Sequence, residues 1–564
     1  MRVLLLTQSF NSLTQRIFVE LEEAGHEVSV EYDINDVVTE EAVALFQPDC
    51  LVAPFLKRAI PEAVWQRLPC FIVHPGVKGD RGPSALDWAI LKGLPRWGVT
   101  VLQAGRVMDA GPVWATAGFA MRDATKSSLY RNEVTEAAVT AVLETIRHFQ
   151  TPGFHPEEVI QSNWQPAVSQ ADRAIAWDRD GTDAVLRKIR SADGNPGLKS
   201  KVCGRTVYLY DAHRAEHLAA KPGQVLATSG PAIGLGTADG AVWIGRLRDR
   251  TSAHPFKLPA TEALKGSIAG VPEIALDGAG GYREISYEEE GGAGFLHFRF
   301  YNGAMGTAAC ERLLAAYRAA LMRPTRALVL MGAPDFWSNG MDLNLIEAAA
   351  STADESWRNI NAIDDLAEAI LRTEDRLVIA ALQGNAGAGG VFLARAANEV
   401  WLREGIVLSP HYKDMGNLYG SEFWTYSLPR HAGAEAEASI MARRLPMGSA
   451  EAVRVGLAGR RFGATVEDFS SEVRRRAIAL AASSDFPQRV AALREKRAAD
   501  EALKPLAAYR AGELARMRLN FYGFDPSYHV ARYNFVRKQV KSRTPVTIAR
   551  HRDRRLTAAV RKAS

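Results

Sequence analysis

The sequence predicts an α/β multidomain protein. It is read as an N-terminal parallel-sheet domain, a small β-barrel domain, a second α/β domain and terminal helices. Three observations carry this. Apolar strands alternate with amphipathic helices from Val3 to Gln103. Short strands broken by turns such as Ala238-Asp239-Gly240 fill about 167–250. A Gly-rich stretch, GNAGAGG, joins a strand to a helix in the last half. The 564 residues exceed one core, and the expected domains are 1–160, 161–275, 276–490 and a helical, basic 491–564.

Val3–Thr7 reads as a buried strand. Ser12–Ala24 follows with Leu13, Ile17, Phe18 and Leu21 on one helical face. Glu27–Tyr32 is a strand, Glu40–Phe46 a helix, and Cys50–Pro54 and Cys70–His74 are further strands. Such alternation predicts a parallel sheet with ligands bound beyond the carboxyl ends of its strands. His74 sits at such an end, and the loop after Gly98–Gln103, carrying MDAGPVW, is placed there too. Pro and polar residues make 151–166 an expected linker. Thr182–Ser191 is a helix, and Thr206–Tyr210, Gly223–Thr228 and Ala241–Arg246 are strands of the barrel. A Gly/Pro-rich second linker covers 258–290. Beyond it, Ala327–Met331 and Leu377–Gln383 are strands, Asp364–Leu371 and Val391–Ala397 helices, and the chain from Gln488 is helical and charged.

Charge is uneven. The net +5 contains +9 between Arg537 and Lys562, leaving −4 for the rest. Such a tail is expected to be a solvated terminal segment, with an anionic cofactor as the alternative partner. Without an interleaved aromatic platform, nucleic acid is not expected. Four scattered cysteines without a CxxC pair argue against a disulfide framework or zinc ribbon, and no metal is expected. MRVLLLTQSF is too short for a signal peptide or spanning helix, and no run of about 18 apolar residues occurs. The expectation is a cytoplasmic protein without membrane partners.

HPGVKGDRGPSALDWAI opens with a His delivered by a strand to a Gly-rich loop. LVAPFLKRAIPEAVWQRLPCFIVHPGVKGDRGPSALDWAI, WGVTVLQAGRVMDAGPVW and RAIAWDRDGTDAVLRKIRSADGNPG together resemble the folate-dependent formyltransferases over about 1–250. The resemblance implies 10-formyl-tetrahydrofolate as substrate and a catalytic Asn, His and Asp. The His falls on His74 and the Asp on Asp109, but the Asn position holds Ile72. Formyl transfer passes through a tetrahedral oxyanion, for which an imidazole steered by a carboxylate is suited. A lost oxyanion donor costs roughly 10²–10³ in rate. Alone, His74 reads better as a turn cap and Asp109 as an N-cap or Asx turn; family spacing favours catalysis. Phe55, Lys57 and Arg81 are cofactor-binding candidates, with Arg81 alternatively holding the loop.

LMGAPDFWSNGMDLNLIEA and VIAALQGNAGAGGVFLARA pose a second question. GNAGAGG lacks GxGxxG, which weakens a dinucleotide reading. The pair resembles the crotonase (enoyl-CoA hydratase/isomerase) superfamily, with its β-β-α spiral fold. That implies an oxyanion hole from the backbone N–H groups of Met341 and Gly389, with Gly387 and Gly390 beside the acyl-CoA. Two backbone donors suit a thioester oxygen because they need no particular side chain. Where hydratases carry two Glu residues, this sequence has Phe392 and, at or near the second position, Tyr412. Phe392 cannot activate water. Tyr412 and Glu422 are the candidates for proton transfer, while His411 and Lys413 read as surface or loop groups.

The order of domains, with SPHYKDMGNLYGSEFWTY, is similar to the HypX/HoxX family of nickel–iron hydrogenase maturation proteins, over nearly the whole chain. The family implies formyl transfer to coenzyme A and a lyase step, decarbonylation of formyl-CoA, that makes the CO ligand. It also implies maturation partners that receive the CO. The basic tail is then the expected holder of CoA phosphates. Two rivals stay open: a formyl-CoA hydrolase or other acyl-CoA enzyme with a folate-sensing domain, and a non-catalytic carrier scaffold.

Overall fold

The computed structural model describes residues 1–158, 163–218, 221–276, 278 and 280–553. The chain divides into two compact units, one of Met1–Arg250, Lys257–Tyr282 and Val540–Ser564, the other of Thr251–Phe256 and Arg283–Gln539.

The first unit opens with a six-stranded sheet in the order Glu27–Tyr32, Arg2–Thr7, Cys50–Phe55, Cys70–His74, Arg96–Gln103, Val113–Ala120. The first four strands are parallel; Arg2–Thr7, Cys50–Phe55 and Cys70–His74 are near-continuous apolar runs buried on both faces, whereas Glu27–Tyr32 alternates, with Ser29 and Glu31 buried among its apolar residues. The last two strands run antiparallel to their neighbours, so the sheet is mixed rather than parallel. This corrects the placement of the loop after Gln103. Gln103 stands opposite Phe71 and the Ala104 N–H donates to the Cys70 carbonyl, at the opposite end of the strand from His74. The segment 104–112 must double back to bring Asp109 to the imidazole.

The expected barrel is an open antiparallel sheet ordered Val225–Ser229, Ala232–Gly236, Ala241–Arg248, Arg205–Arg214, Leu198–Val202, with Leu258–Pro259 also on Ala241–Arg248. No hydrogen-bonded pair closes it among the described residues. Helix Thr182–Arg190 packs on it, putting Val185, Leu186 and Ile189 into a core with Leu209, Ile233 and Ile244. The two expected linkers are packed. Asn163–Trp164 pairs with Asp80–Arg81, and Ala260 and Leu264 are fully buried. From Thr544 to Arg552 the basic tail, expected to be solvated, is folded against the edge strand Glu27–Tyr32, while residues 538–543 are exposed. Val30 N–H donates to the Ile548 carbonyl, and Tyr32 N–H to the Thr544 hydroxyl. Buried Glu31 accepts from Thr544, His551 and Arg552, and Arg550 pairs with Glu22. Residues 554–564 of that tail lie outside the described residues.

The second unit is a spiral. Three successive turns each place one strand in a six-stranded sheet and the next in a four-stranded one. The pairs are Ala327–Met331 with Phe336–Ser338, Leu377–Leu382 with Asn385–Gly387, and Glu399–Arg403 with Val407–Ser409. Helices Leu343–Ala348, Thr352–Leu371 and Gly389–Arg395 follow the first two pairs. Ile360, Ile363, Leu366 and Ile370 of the second helix bury one face against the sheet. Helices Val466–Ala482, Phe486–Leu503, Leu506–Tyr522 and Ser527–Val536 complete the unit. Among the described residues no helix is long and apolar enough to cross a membrane.

Candidate functional site

In the first unit His74 ends its strand, and a turn at Pro75-Gly76 leaves the ring buried between two carboxylates. Trp97 Nε1–H donates to the Pro75 carbonyl and the Thr100 hydroxyl to that of Gly76, both at 2.8 Å. Glycine is required at 76 because an added Cβ would lie 2.4 Å from His74 Nε2 and 2.5 Å from Asp80 Oδ2. His74 Nε2 and Asp80 Oδ2 are 2.9 Å apart, and Asp80 Oδ1 accepts the Gln165 amide at 2.8 Å. The Asp80 bond assigns Nε2–H to the neutral ring and leaves the Nδ1 lone pair free. Asp109, in the left-handed region at φ 52°, brings Oδ2 to 3.8 Å from Nδ1 and accepts the Gly82 N–H at 3.3 Å.

His74 and Asp109 are thus brought together, but the closer carboxylate is Asp80. Sequence reasoning missed it, although it lies in the quoted loop six residues after the His; Gln165 carried no signal. Arg81 donates twice to the Met108 carbonyl, at 3.1 and 2.9 Å, so it holds the loop that carries Asp109. Phe55 stands edge-on to Tyr130 at 6.2 Å, at the same end of the sheet as His74, and Lys57 is exposed there. Ile72 extends an apolar cluster with Leu56 and Ala104 and supplies no donor.

In the second unit Gly340 (φ 74°) and Gly389 meet: an added Cβ on Gly340 would lie 3.6 Å from the Gly389 nitrogen. Ala388, just before it, takes φ 47°, ψ −126°, a strained backbone for a residue with a side chain. Among the described residues neither the Met341 nor the Gly389 N–H has a protein acceptor. Gly390 and Gly387 are accounted for by packing, since added Cβ atoms would lie 2.1 Å from the Ser338 carbonyl oxygen and 3.0 Å from Asn339 Oδ1.

Glu422 faces this point. An added Cβ on Gly389 would lie 2.0 Å from Glu422 Oε1. The other oxygen, Oε2, accepts the Tyr412 hydroxyl at 2.6 Å and the Ser421 N–H at 3.1 Å. Tyr412 stacks on Phe392, ring centres 5.5 Å apart, and Gly420 makes room for it, an added Cβ there lying 2.1 Å from the ring. Burial, then the Asp364 charge, pushes Glu422 up to about 8, and burial raises Tyr412 well above its ordinary value. Two further buried carboxyls adjoin: burial brings Asp364 to about 6 and Glu513 to about 8. Neither was a candidate from sequence. His411, expected as a surface or loop group, lies in a loop but is buried, and its Nδ1 has no partner among the described residues.

Fold and sites define a two-part protein, half formyltransferase-like and half enoyl-CoA hydratase-like. The Enoyl-CoA hydratase/isomerase family model matches residues 303–522, and that of the Formyl transferase C-terminal domain matches 167–262. The hydrogenase maturation factor HoxX of Bradyrhizobium diazoefficiens is 56% identical over 559 residues, 98% of each chain. The crystal structure of HypX from Aquifex aeolicus in complex with tetrahydrofolic acid superposes with TM-score 0.96 at 50% identity, covering 98% of this chain and 99% of that one. A methionyl-tRNA formyltransferase of Variovorax paradoxus is 24% identical over 38% of this chain and 69% of its own. The chain belongs to the HypX/HoxX family of hydrogenase maturation factors.

Proposed function

We propose that this chain transfers the formyl group of 10-formyl-tetrahydrofolate to the thiol of coenzyme A, then splits formyl-CoA into carbon monoxide and free CoA. The CO serves as the metal ligand of a nickel–iron hydrogenase and passes to its maturation partners. Family membership, the tetrahydrofolate held by the HypX relative and the enoyl-CoA hydratase/isomerase match support the substrates. The observation that carries the second step is Glu422 Oε1 standing over Gly389 while Phe392 occupies the place of a hydratase acid.

In the first step His74 Nδ1 takes the thiol proton. The sulfur attacks the formyl carbon, and the carbon–nitrogen pair leaves with the folate nitrogen, which receives that proton. Asp80 holds the ring in the required tautomer. A thiolate is nucleophilic enough to offset the donor absent at Ile72. In the second step the thioester oxygen accepts from the Met341 and Gly389 amides. The C–H pair becomes the carbon lone pair of CO and the C–S pair leaves with sulfur, which takes the proton held by Glu422, while the formyl proton replaces it on the carboxyl. Tyr412, whose hydroxyl donates to Glu422 Oε2 at 2.6 Å and lies 3.0 Å from the Ser421 carbonyl, orients it. The apolar Phe392 ring keeps water away, so that formate is not made.

The test supplies the purified chain with 10-formyl-tetrahydrofolate and CoA and follows CO by haem-protein absorbance, beside His74→Ala and Tyr412→Phe. CO lost in the His74 variant and reduced in the Tyr412 variant, with formyl-CoA accumulating only in the latter, is expected. Formate in place of CO from the unaltered chain would assign the second half to a hydrolase.

A further inference from the structure

We propose that Asp364 and Glu513 are positioning residues for Glu422: they clamp the turn that carries it and leave their shared proton on Glu422 Oε1, the oxygen facing Gly389. This rests on the reading of Glu422 as the proton-transfer group.

The turn cannot hold itself. Glu422 (φ 61°) and Phe423 (φ 57°) are consecutive left-handed residues with side chains, a conformation kept only when surroundings over-determine it. Two helices supply the surroundings. Asp364, from Thr352–Leu371, accepts the Glu422 N–H at 2.9 Å and the Ser421 hydroxyl at 2.7 Å. Glu513, from Leu506–Tyr522, accepts the Phe423 N–H at 2.9 Å, the Thr425 N–H at 2.8 Å and the Thr425 hydroxyl at 2.6 Å. It also lies 3.2 Å from the Ser421 hydroxyl.

The same bonds place the proton. Three neighbouring buried carboxyls do not all ionise at neutral pH. Both oxygens of Asp364 and both of Glu513 already accept donors. Glu422 Oε2 accepts two, whereas Oε1 accepts none among the described residues. The proton therefore sits where no donor opposes it, on Oε1. The other titratable groups around Glu422 are the Tyr412 hydroxyl and the buried Cys310 thiol. The cation Arg510 acts on Asp364 and is paired with Asp365 and Glu368.

The experiment uses the full chain and two charge-removing variants, Glu513→Gln and Asp364→Asn, each keeping one of the two accepting oxygens. The first readout is the pH profile of CO release from added formyl-CoA. The unaltered chain loses rate as pH passes the Glu422 value. Each variant removes a like charge, so its falling limb moves down by about one pH unit. A lower kcat with an unmoved limb in both would reduce the pair to scaffolding and overturn the proposal. The second readout needs no turnover: the protonated-carboxyl C=O stretch in the infrared at pH 7. A component of that band is expected to be lost in Glu422→Gln and kept in Glu513→Gln; the reverse would put the proton on Glu513 and sink the assignment. Absence of CO from the unaltered chain defeats the decarbonylase reading and leaves the infrared result to judge this one.

Discussion

The Tyr412 hydroxyl and Glu422 Oε2 are 2.6 Å apart, ten residues separated in sequence and both buried. One oxygen of the carboxyl is thereby anchored, and the other is turned to Gly389. Glu422→Gln is expected to lower CO release from formyl-CoA by about 10²–10⁴, the usual worth of general acid–base catalysis. Tyr412→Phe keeps the carboxyl and loses its anchor, so a smaller loss is expected. Equal rates for both variants and the unaltered chain would remove the pair from the mechanism.

The two sites are separable by glycine. Gly389→Ala drives a methyl into Glu422 Oε1, and Gly76→Ala drives one into the His74–Asp80 contact. The first should abolish CO release while formyl-CoA still forms. The second should abolish formyl-CoA formation while added formyl-CoA is still split. Product analysis by chromatography checks both.

Asp80 orients the imidazole through Nε2 at 2.9 Å, and Asp109 stands farther off at 3.8 Å. Asp80→Asn presents an amide that favours the wrong tautomer, and formyl transfer should fall by roughly 10²–10⁴. Asp109→Asn should cost less. The reverse order, measured as kcat for formyl-CoA formation, would restore Asp109 as the principal partner.

Buried carboxyls make stability depend on pH. The folded value of Glu422 lies near 8 against an ordinary 4.5, so the native chain holds this proton after the unfolded chain has lost it. Stability from this group is therefore greatest below about 4.5 and declines until pH reaches about 8. Thermal unfolding midpoints from pH 5 to 8 should fall less steeply in Glu422→Gln than in the unaltered chain. A parallel pair of curves would show that Glu422 does not titrate there.

The tail has a structural role that can be tested separately. His551 joins buried Glu31 at 2.9 Å and Ser29 at 2.7 Å, both within the first unit. Removing one member of a buried charged network costs about 3–5 kcal/mol. His551→Ala should lower the unfolding midpoint of the unit that contains it without changing CoA affinity. Weaker CoA binding at an unchanged midpoint would favour the phosphate-holding role instead.

Much of this was legible in the residues. Alternating strand and helix patterns located the sheets, His74 ended a readable strand, and Phe392 announced the missing hydratase acid. Tyr412 and Glu422 emerged from one quoted segment because they lie close in the chain. Less legible were strand direction, which turned the expected parallel sheet into a mixed one, and closure, which left the expected barrel open. Periodicity reports which face of a strand is buried, and says nothing of which way its neighbour runs.

By itself, then, the sequence determined the local elements, the order of the two halves and the residues that end strands or line Gly-rich loops, because these depend on spacing along the chain. Tertiary structure decided which carboxylate meets the imidazole and which groups set the protonation of Glu422. Asp364 and Glu513 reach the Ser421–Glu422 turn from 58 and 92 residues away. The energy of a buried charge is governed by what surrounds it in space, and the chain brings those surroundings together only on folding.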